Sequence, residues 1–533
     1  MSLATERRDA ALRRLGAERF DLLVIGGGAT GTGTALDAAS RGLKVALVER
    51  ADLSEGTSSR STKLVHGGVR YLEQAVKHAD RSQFSLVREA LRERAVLLRN
   101  APHLATALPL LTPIYGALEL PYYFTGLKLY DMLAGRANLA PSRLIGRDEA
   151  KDRFPMLRRE GLRGAVEYHD GQFDDARMNV ALALTAAEHG AVVANHVEVT
   201  GLLKRSGRLA GAVVEDRLRA SAPIHIEARA VVNATGPFAD AVRHLDDPDA
   251  PAMLKTSSGV HVVLPQRFSP PGTGLLIPKT EDGRVLFLLP WLGHTLVGTT
   301  DNPAPVEAHP AAAAEDVEYI LRHVRKYFDL PVSTEDVLSA WSGLRPLVEA
   351  EQGNGIKSTA RLSRDHVITV SPSGLVTATG GKWTTYRSMA EDAVDAAVEV
   401  GELRPARGSL THDLPLVGGA RFDPFGDARL VAEYRLEPDV ARHLNRAYGD
   451  RAGLVAGLAR EGWGDRLVAG HPYIEAEVVY GRDAELACTA DDVLARRLRL
   501  SFLDSEASES ARPRVEALLA TPLQAHGGGS CGS

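Results

Sequence analysis

Residues 20 to 50 read FDLLVIGGGATGTGTALDAASRGLKVALVER. A short apolar run, Leu22 to Ile25, meets glycines and then a helix pattern of small residues. A second apolar run, Lys44 to Val48, follows and ends in Glu49. This is a βαβ unit carrying GxGxxG as Gly26, Gly28 and Gly31, with an acidic residue about 20 positions further on. Each residue has a geometric task. Gly26 makes the tight turn, Gly28 lets backbone N–H groups approach a pyrophosphate, and Gly31 lets helix and strand pack closely. Glu49 accepts hydrogen bonds from an adenosine ribose, while the helix N-terminus holds the phosphates. A dinucleotide is expected here, NAD or FAD.

Around this unit the chain has 533 residues, 44% hydrophobic and 25% charged, enough for about two or three soluble domains. Its 63 Lys and Arg stand against 68 Asp and Glu, so the basic excess of a nucleic-acid binder is absent and no nucleic-acid partner is expected. Cys488 and Cys531 are the only cysteines and form no CxxC. Neither a disulfide framework nor a metal site is expected, and a reducing cytoplasm fits best. The first twenty residues alternate charge without an apolar core and do not read as a signal peptide. The tract LATALPLLTPIYGALELPYYFTGLKLY (104 to 130) is broken by Pro109, Pro113, Glu119, Pro121 and Lys128, against the roughly 20 apolar residues a spanning helix needs. Tyr122, Tyr123, Phe124, Leu127 and Tyr130 suit either a buried helix or an interfacial one.

Two later stretches extend the first site. RAVVNATGPFADAV (229 to 242) is an apolar strand running into Thr235-Gly236, and LVTATGGKWTTYRSMAEDAVDAAVEV (375 to 400) enters Gly380-Gly381 before a long helix pattern. At such edges backbone N–H groups can face a ligand. Both resemble the motifs with which flavoproteins of the glycine oxidase and D-amino-acid oxidase class close over FAD. A third stretch, RSTKLVHGGVRYL (60 to 72), gathers Arg60, Lys63, His66 and Arg70 around Gly67-Gly68 in a chain of net charge −5, so an anion site here must be local.

In order, IGGGATGTG, STKLVHGGVRYLE, DDARMN, NATGPF, GLRPL and TGGKWTTYR resemble FAD-dependent glycerol-3-phosphate dehydrogenases, and residues 475 to 504 resemble that family's helical cap. The resemblance implies an α/β fold: a Rossmann-like FAD-binding domain of the glycine oxidase class, an inserted strand-rich substrate domain and a C-terminal helical cap. The expected divisions are an arm at 1–18, FAD-binding parts at 19–110, 165–245 and 355–395, an apolar helical insertion at 111–164, a substrate domain at 246–354, a cap at 396–525 and a tail at 526–533. It implies oxidation of sn-glycerol 3-phosphate to dihydroxyacetone phosphate by hydride transfer from C2 to N5 of FAD, with electrons passing to a membrane quinone at the cytoplasmic face of the membrane. A homodimer is left open. A glycerol-3-phosphate oxidase and an amine or amino-acid oxidase of the same fold stand as alternatives.

The resemblance also implies a site. Ser59, Ser61, Lys63, His66, Val197, Thr235, Gly236, Gly380, Gly381, Lys382, Trp383 and Thr384 join the first glycines and Glu49 as cofactor-binding residues. A phosphomonoester dianion needs guanidinium and ammonium donors, and Arg70, Tyr71, His261, Arg345, Arg364 and Lys382 are expected around it. His261 is the expected base, because a neutral imidazole has the appropriate proton affinity, with His66 as the runner-up. Arg345 and Arg70 bind the phosphate or steady the alkoxide, and Lys382 stabilises the reduced flavin.

Overall fold

A computed structural model describes residues 3–68, 72, 81–116, 119–278, 280–281, 283–348 and 366–521. Arg70, Tyr71, Arg364 and the 526–533 tail therefore lie outside the described residues.

The first apolar run forms the strand Arg19–Ile25, with Leu22, Leu23 and Val24 wholly buried. Continuous apolarity is what a strand covered on both faces requires. It pairs in parallel with Val45–Val48 on one side and Ile224–Asn233 on the other. Leu375–Gly380 continues the sheet in parallel, and His366–Val370 closes that side antiparallel. Val192–Ala194 extends the opposite side, and an antiparallel excursion, Val197–Arg205 and Arg208–Asp216, folds back onto Ile224–Asn233. Leu22 and Val24 face one core with the helices Ala29–Ser40, Asp175–Glu188 and Tyr386–Gly401. Leu23 and Ile25 face another, which includes Leu15 of the N-terminal helix Leu3–Ala17.

A second sheet roofs the first. Its longest strands are Ala105–Ile114, Gly164–Phe173, Leu254–Pro265 and Ser339–Val348. Ala105–Ile114 and Gly164–Phe173 pair antiparallel from Ala105↔Phe173 to Ile114↔Gly164 as one continuous ladder. The apolar tract is thus strand first and helix second. Pro109 and Pro113 lie in the strand, where they remove only a ladder hydrogen bond, whereas a helix interior would also clash. The helix begins at Glu119 and runs to Ala134.

The roof has two dressed faces. Val260, Val262 and Leu264 pack in a core with Ile320, Leu321 and Val324 of the helix Ala314–Tyr327. Val263 and Trp341 share the opposite core with Val478, Leu494 and Phe502 of the C-terminal helical region. That region, with helices Gly426–Tyr434, Pro438–Tyr448, Ala452–Leu458, Glu475–Ala484 and Ser505–Ala520, therefore covers one face of the second sheet.

Buried ion pairs fasten it to the first sheet. Arg177 on the helix Asp175–Glu188 makes a two-pronged bond to Glu485, 2.6 and 2.7 Å, with both residues buried. Removing one partner of such a pair strands a buried charge and costs about 3–5 kcal/mol. Arg177→Met is expected to lower unfolding free energy by about that amount, measured by denaturant titration, while Arg205→Met, whose Glu227 partner is exposed, changes it by less than about 1 kcal/mol.

Candidate active site

At the end of Arg19–Ile25 the chain turns through Gly26, φ +108°, into the helix Ala29–Ser40. A Cβ at Gly31 would lie 1.8 Å from the Gly26 carbonyl oxygen, and one at Gly26 would lie 2.6 Å from that of Ala234. Strand, turn and helix are closer than any side chain allows. Asn179, fully buried, donates to Gly27 O at 2.7 Å and accepts from Thr32 at 2.7 Å, pinning the turn from behind. Ser58 Oγ accepts the Ala29 N–H at 2.9 Å, and Glu49 reaches back to accept from Gly27 N at 2.6 Å and Ala51 N at 2.9 Å.

This turn opens onto a cleft of about 680 Å³, within the roughly 300–1,000 Å³ of small-molecule sites. Gly26, Gly28, Glu49, Val197, Thr235, Gly236, Gly380, Gly381, Lys382 and Trp383 all line it, although they come from four separate segments. Gly236, Gly380 and Gly381 have positive φ, which turns the backbone at both distal edges. A helix N-terminus aimed at a glycine-lined, elongated cleft with an acidic residue at one end fits a dinucleotide such as FAD. Ser58, which also accepts from Trp383 Nε1 through its carbonyl at 2.8 Å, was not legible as a site residue; it stands in the stretch EGTSSRSTK, which carries no motif by itself.

Ser59, Ser61 and Lys63, expected beside cofactor atoms, sit behind the cleft wall and none of them lines it. Lys63 is fully buried, donating to Asp175 at 2.6 Å and to Ser59 O at 2.7 Å. Burial outweighs Asp175 and brings the Lys63 pKa down to about 7. Ser61 donates to Asp175 through both its N–H, 3.1 Å, and its hydroxyl, 2.7 Å. His66 is half-buried, its N–H donating to Thr384 Oγ1 at 3.1 Å, which places the HGG turn against the TGGKWTT edge.

His261 and Arg345 come from neighbouring strands of the roof. Ser257 pairs with Arg345, Gly259 with Gly343 and His261 with Trp341, and side chains two apart share a face. That face is carved by glycine. A Cβ at Gly259 would meet Arg345 Nη2 at 2.3 Å, one at Gly298 would meet the His261 ring at 2.2 Å, and one at Gly343 would meet Arg60 Cβ at 2.8 Å. His261 stacks on Trp341 at 4.3 Å, and its Nε2 lies 2.9 Å from Thr62 Oγ1. Burial, then the Lys63 and Arg345 charges, push its pKa far below the usual value, so the imidazole is neutral at neutral pH. Arg345 is held by Thr300 O, Asp301 and Thr299, each at 3.1 Å, and the adjoining Pro346 lines the cleft with Lys382. Pro346 is where this roof face meets the cleft; His261 and Arg345 themselves are not among the residues that line it.

Known proteins bear on this geometry. A family model described as FAD dependent oxidoreductase matches residues 21–387, and one described as the C-terminal domain of alpha-glycerophosphate oxidase matches residues 409–526. The chain is 50% identical to the mitochondrial glycerol-3-phosphate dehydrogenase of Homo sapiens over 531 residues, 97% of this chain and 72% of that one. A crystal structure of the glycerol-3-phosphate dehydrogenase from Bacillus halodurans complexed with FAD superposes with a TM-score of 0.75 at 30% identity, covering 97% of each chain. A glycine oxidase from Bacillus cereus shares the fold at a TM-score of 0.50 and 19% identity, covering 73% of this chain and 96% of its own. Gly31→Ala is expected to displace the Gly26 turn and with it most of the bound FAD, read from flavin absorbance after gel filtration.

Proposed function

The chain belongs to the family of FAD-dependent glycerol-3-phosphate dehydrogenases, and from that premise we infer that it oxidises sn-glycerol 3-phosphate to dihydroxyacetone phosphate and passes the electrons to a membrane quinone. The observation that carries the reading is the roof face that bears neutral His261 and the Arg345 guanidinium and that reaches the cleft, with Lys382 on its wall, through Pro346. FAD, which Gly26, Gly28, Glu49, Thr235, Gly236, Gly380 and Gly381 would hold in the cleft, would supply the two-electron acceptor for the hydride that leaves C2. His261 removes the C2 hydroxyl proton as the C2–O bond becomes a carbonyl, a task for which a buried uncharged imidazole is poised. Arg345 is already aimed by three acceptors, so little reorganisation is needed when it meets the phosphate or the developing alkoxide. Lys382 stabilises negative charge on the cofactor side. Arg70, Tyr71 and Arg364 complete the phosphate set, and His66 supports the flavin edge.

Because His261 must be neutral to act, its protonation is expected to lower kcat/KM on an acid limb that lies well below the pH 6.5 of an ordinary imidazole. His261→Ala is expected to lose about 10²–10⁴-fold in turnover while keeping its FAD. Equal loss of flavin and turnover would remove it as base.

The quinone fits the dehydrogenase naming of the relatives, and the membrane contact is read from the helix Glu119–Ala134, which buries Leu127, Tyr130 and Ala134 and leaves Tyr122 48% and Met132 75% exposed. Exposed apolar residues on such a helix suit an interface. Among the described residues no helix is long and apolar enough to cross a membrane, so peripheral contact is the proposed mode. The C-terminal match described by an oxidase keeps oxygen as the competing acceptor. The test is anaerobic. Added sn-glycerol 3-phosphate is expected to bleach the flavin, with rapid recovery on a quinone analogue and slow recovery in air. Rapid recovery in air with peroxide would assign the oxidase. Flotation with anionic liposomes is expected to carry the protein, and less of it as Tyr122→Ser/Met132→Ser.

A further inference from the structure

We propose that Arg499, from the C-terminal helical region, is a positioning residue for the reaction: its guanidinium donates to Ser59 O and Asp175 and so holds the 59–63 loop against the strand that carries His261. The distances are 2.7 Å to Ser59 O and 3.2 Å to Asp175, with a third donor anchored on Ala495 O at 2.8 Å. Arg499 is 1% exposed, in an environment of Phe502 and Trp291 rings at 4.5 and 5.5 Å. It is the far end of a chain of contacts: Asp175 takes Lys63 and Ser61, the next residue Thr62 meets the His261 imidazole, and Thr57 and Arg60 donate to Leu344 O and Ser342 O on the Arg345 strand. Both Arg499 and Lys63 adopt left-handed backbone, φ +69° and +63°, a conformation that non-glycine side chains hold only when their surroundings dictate it. The groups facing the cluster are Asp174, Asp175, Lys63 and Arg499 itself, and on the His261 side Lys63 and Arg345.

The role is separable from mere fastening. Arg497, two residues earlier and fully buried, also ties this region to the first sheet, through Asp52 at 2.8 and 3.0 Å, but no bond of it reaches the 59–63 loop among those described. Hydrogen exchange of the holoenzyme reads the loop directly, through the Ser61 and Lys63 amides, which donate to Asp175 and Ser61 Oγ. Arg499→Met is expected to speed their exchange at least about tenfold and to lower kcat/KM for sn-glycerol 3-phosphate about 100-fold, mostly in kcat, since small misplacements of reacting groups cost that much. Its acid limb is expected to move toward higher pH as His261 becomes solvated. Arg497→Met is expected to leave the loop exchange and the pH profile unchanged. Arg499→Lys, which keeps the charge but reaches fewer acceptors, is read in the same way and takes over if the Met variant does not fold. Unchanged loop exchange in the Arg499 variants, equal acceleration in Arg497→Met, or faster exchange with unaltered kcat/KM would each overturn the proposal. It rests on the dehydrogenase reading for its kinetic arm alone: wild-type flavin that this substrate does not bleach would end that reading and leave the exchange comparison standing.

Discussion

A carboxylate with no access to water, Asp175, is the point on which the arrangement of the site depends. Its two oxygens take a lysine, a guanidinium and a serine, and its first-turn position on the helix Asp175–Glu188 fixes where they can stand. A buried cluster of this kind contributes little net stability, because desolvation offsets most of the attraction. What it supplies is a single geometry: moving any member leaves another charge unpaired in a medium where that costs several kcal/mol. The left-handed backbone at Lys63 and Arg499, worth about 1–3 kcal/mol of strain each, is tolerated for the same reason. The loop between the two sheets is thereby placed by charge rather than by apolar packing.

The rest of the site follows from where that loop lies. It caps the dinucleotide helix through Ser58, meets His261 through Thr62, and touches Thr384 through the His66 amide. Both sheets therefore have a common reference, and a base on one can be registered against a cofactor cleft on the other. Lys63 acts electrostatically as well. Its charge, with that of Arg345, disfavours a proton on His261.

The helical C-terminal region belongs to the same scheme. Arg177 to Glu485, Arg496 and Arg497 to Asp52, and Arg499 to Asp175 run from one end of the contact to the other with every partner buried. The motif DDARMN, which carries part of the family resemblance, is explained by these bonds: Asp174 caps its helix by accepting from Arg177 N, Asp175 and Arg177 face the C-terminal region, and Asn179 holds the glycine turn. None of them needs to touch substrate.

The sequence by itself determined the dinucleotide cradle, because its parts are local: strand period, glycine spacing and the terminal glutamate act within about thirty residues, and the distances at Gly26 and Gly31 leave no other residue type. It also carried the two later glycine edges, whose strand-to-turn pattern is equally short in range. Only the tertiary structure decided what the cations of RSTKLVHGGVRYL do among the described residues. Lys63 and Arg60 look alike as charges in a loop, but one is consumed by Asp175 112 positions away and the other by Ser342 O 282 positions away. It likewise decided that the tract at 104–130 splits into strand and helix, since a proline-bearing apolar run becomes a strand only when Gly164–Phe173 offers it a ladder. Burial and long-range charge pairing are properties of the folded neighbourhood, and a linear pattern names the residues that can take part without naming their partners.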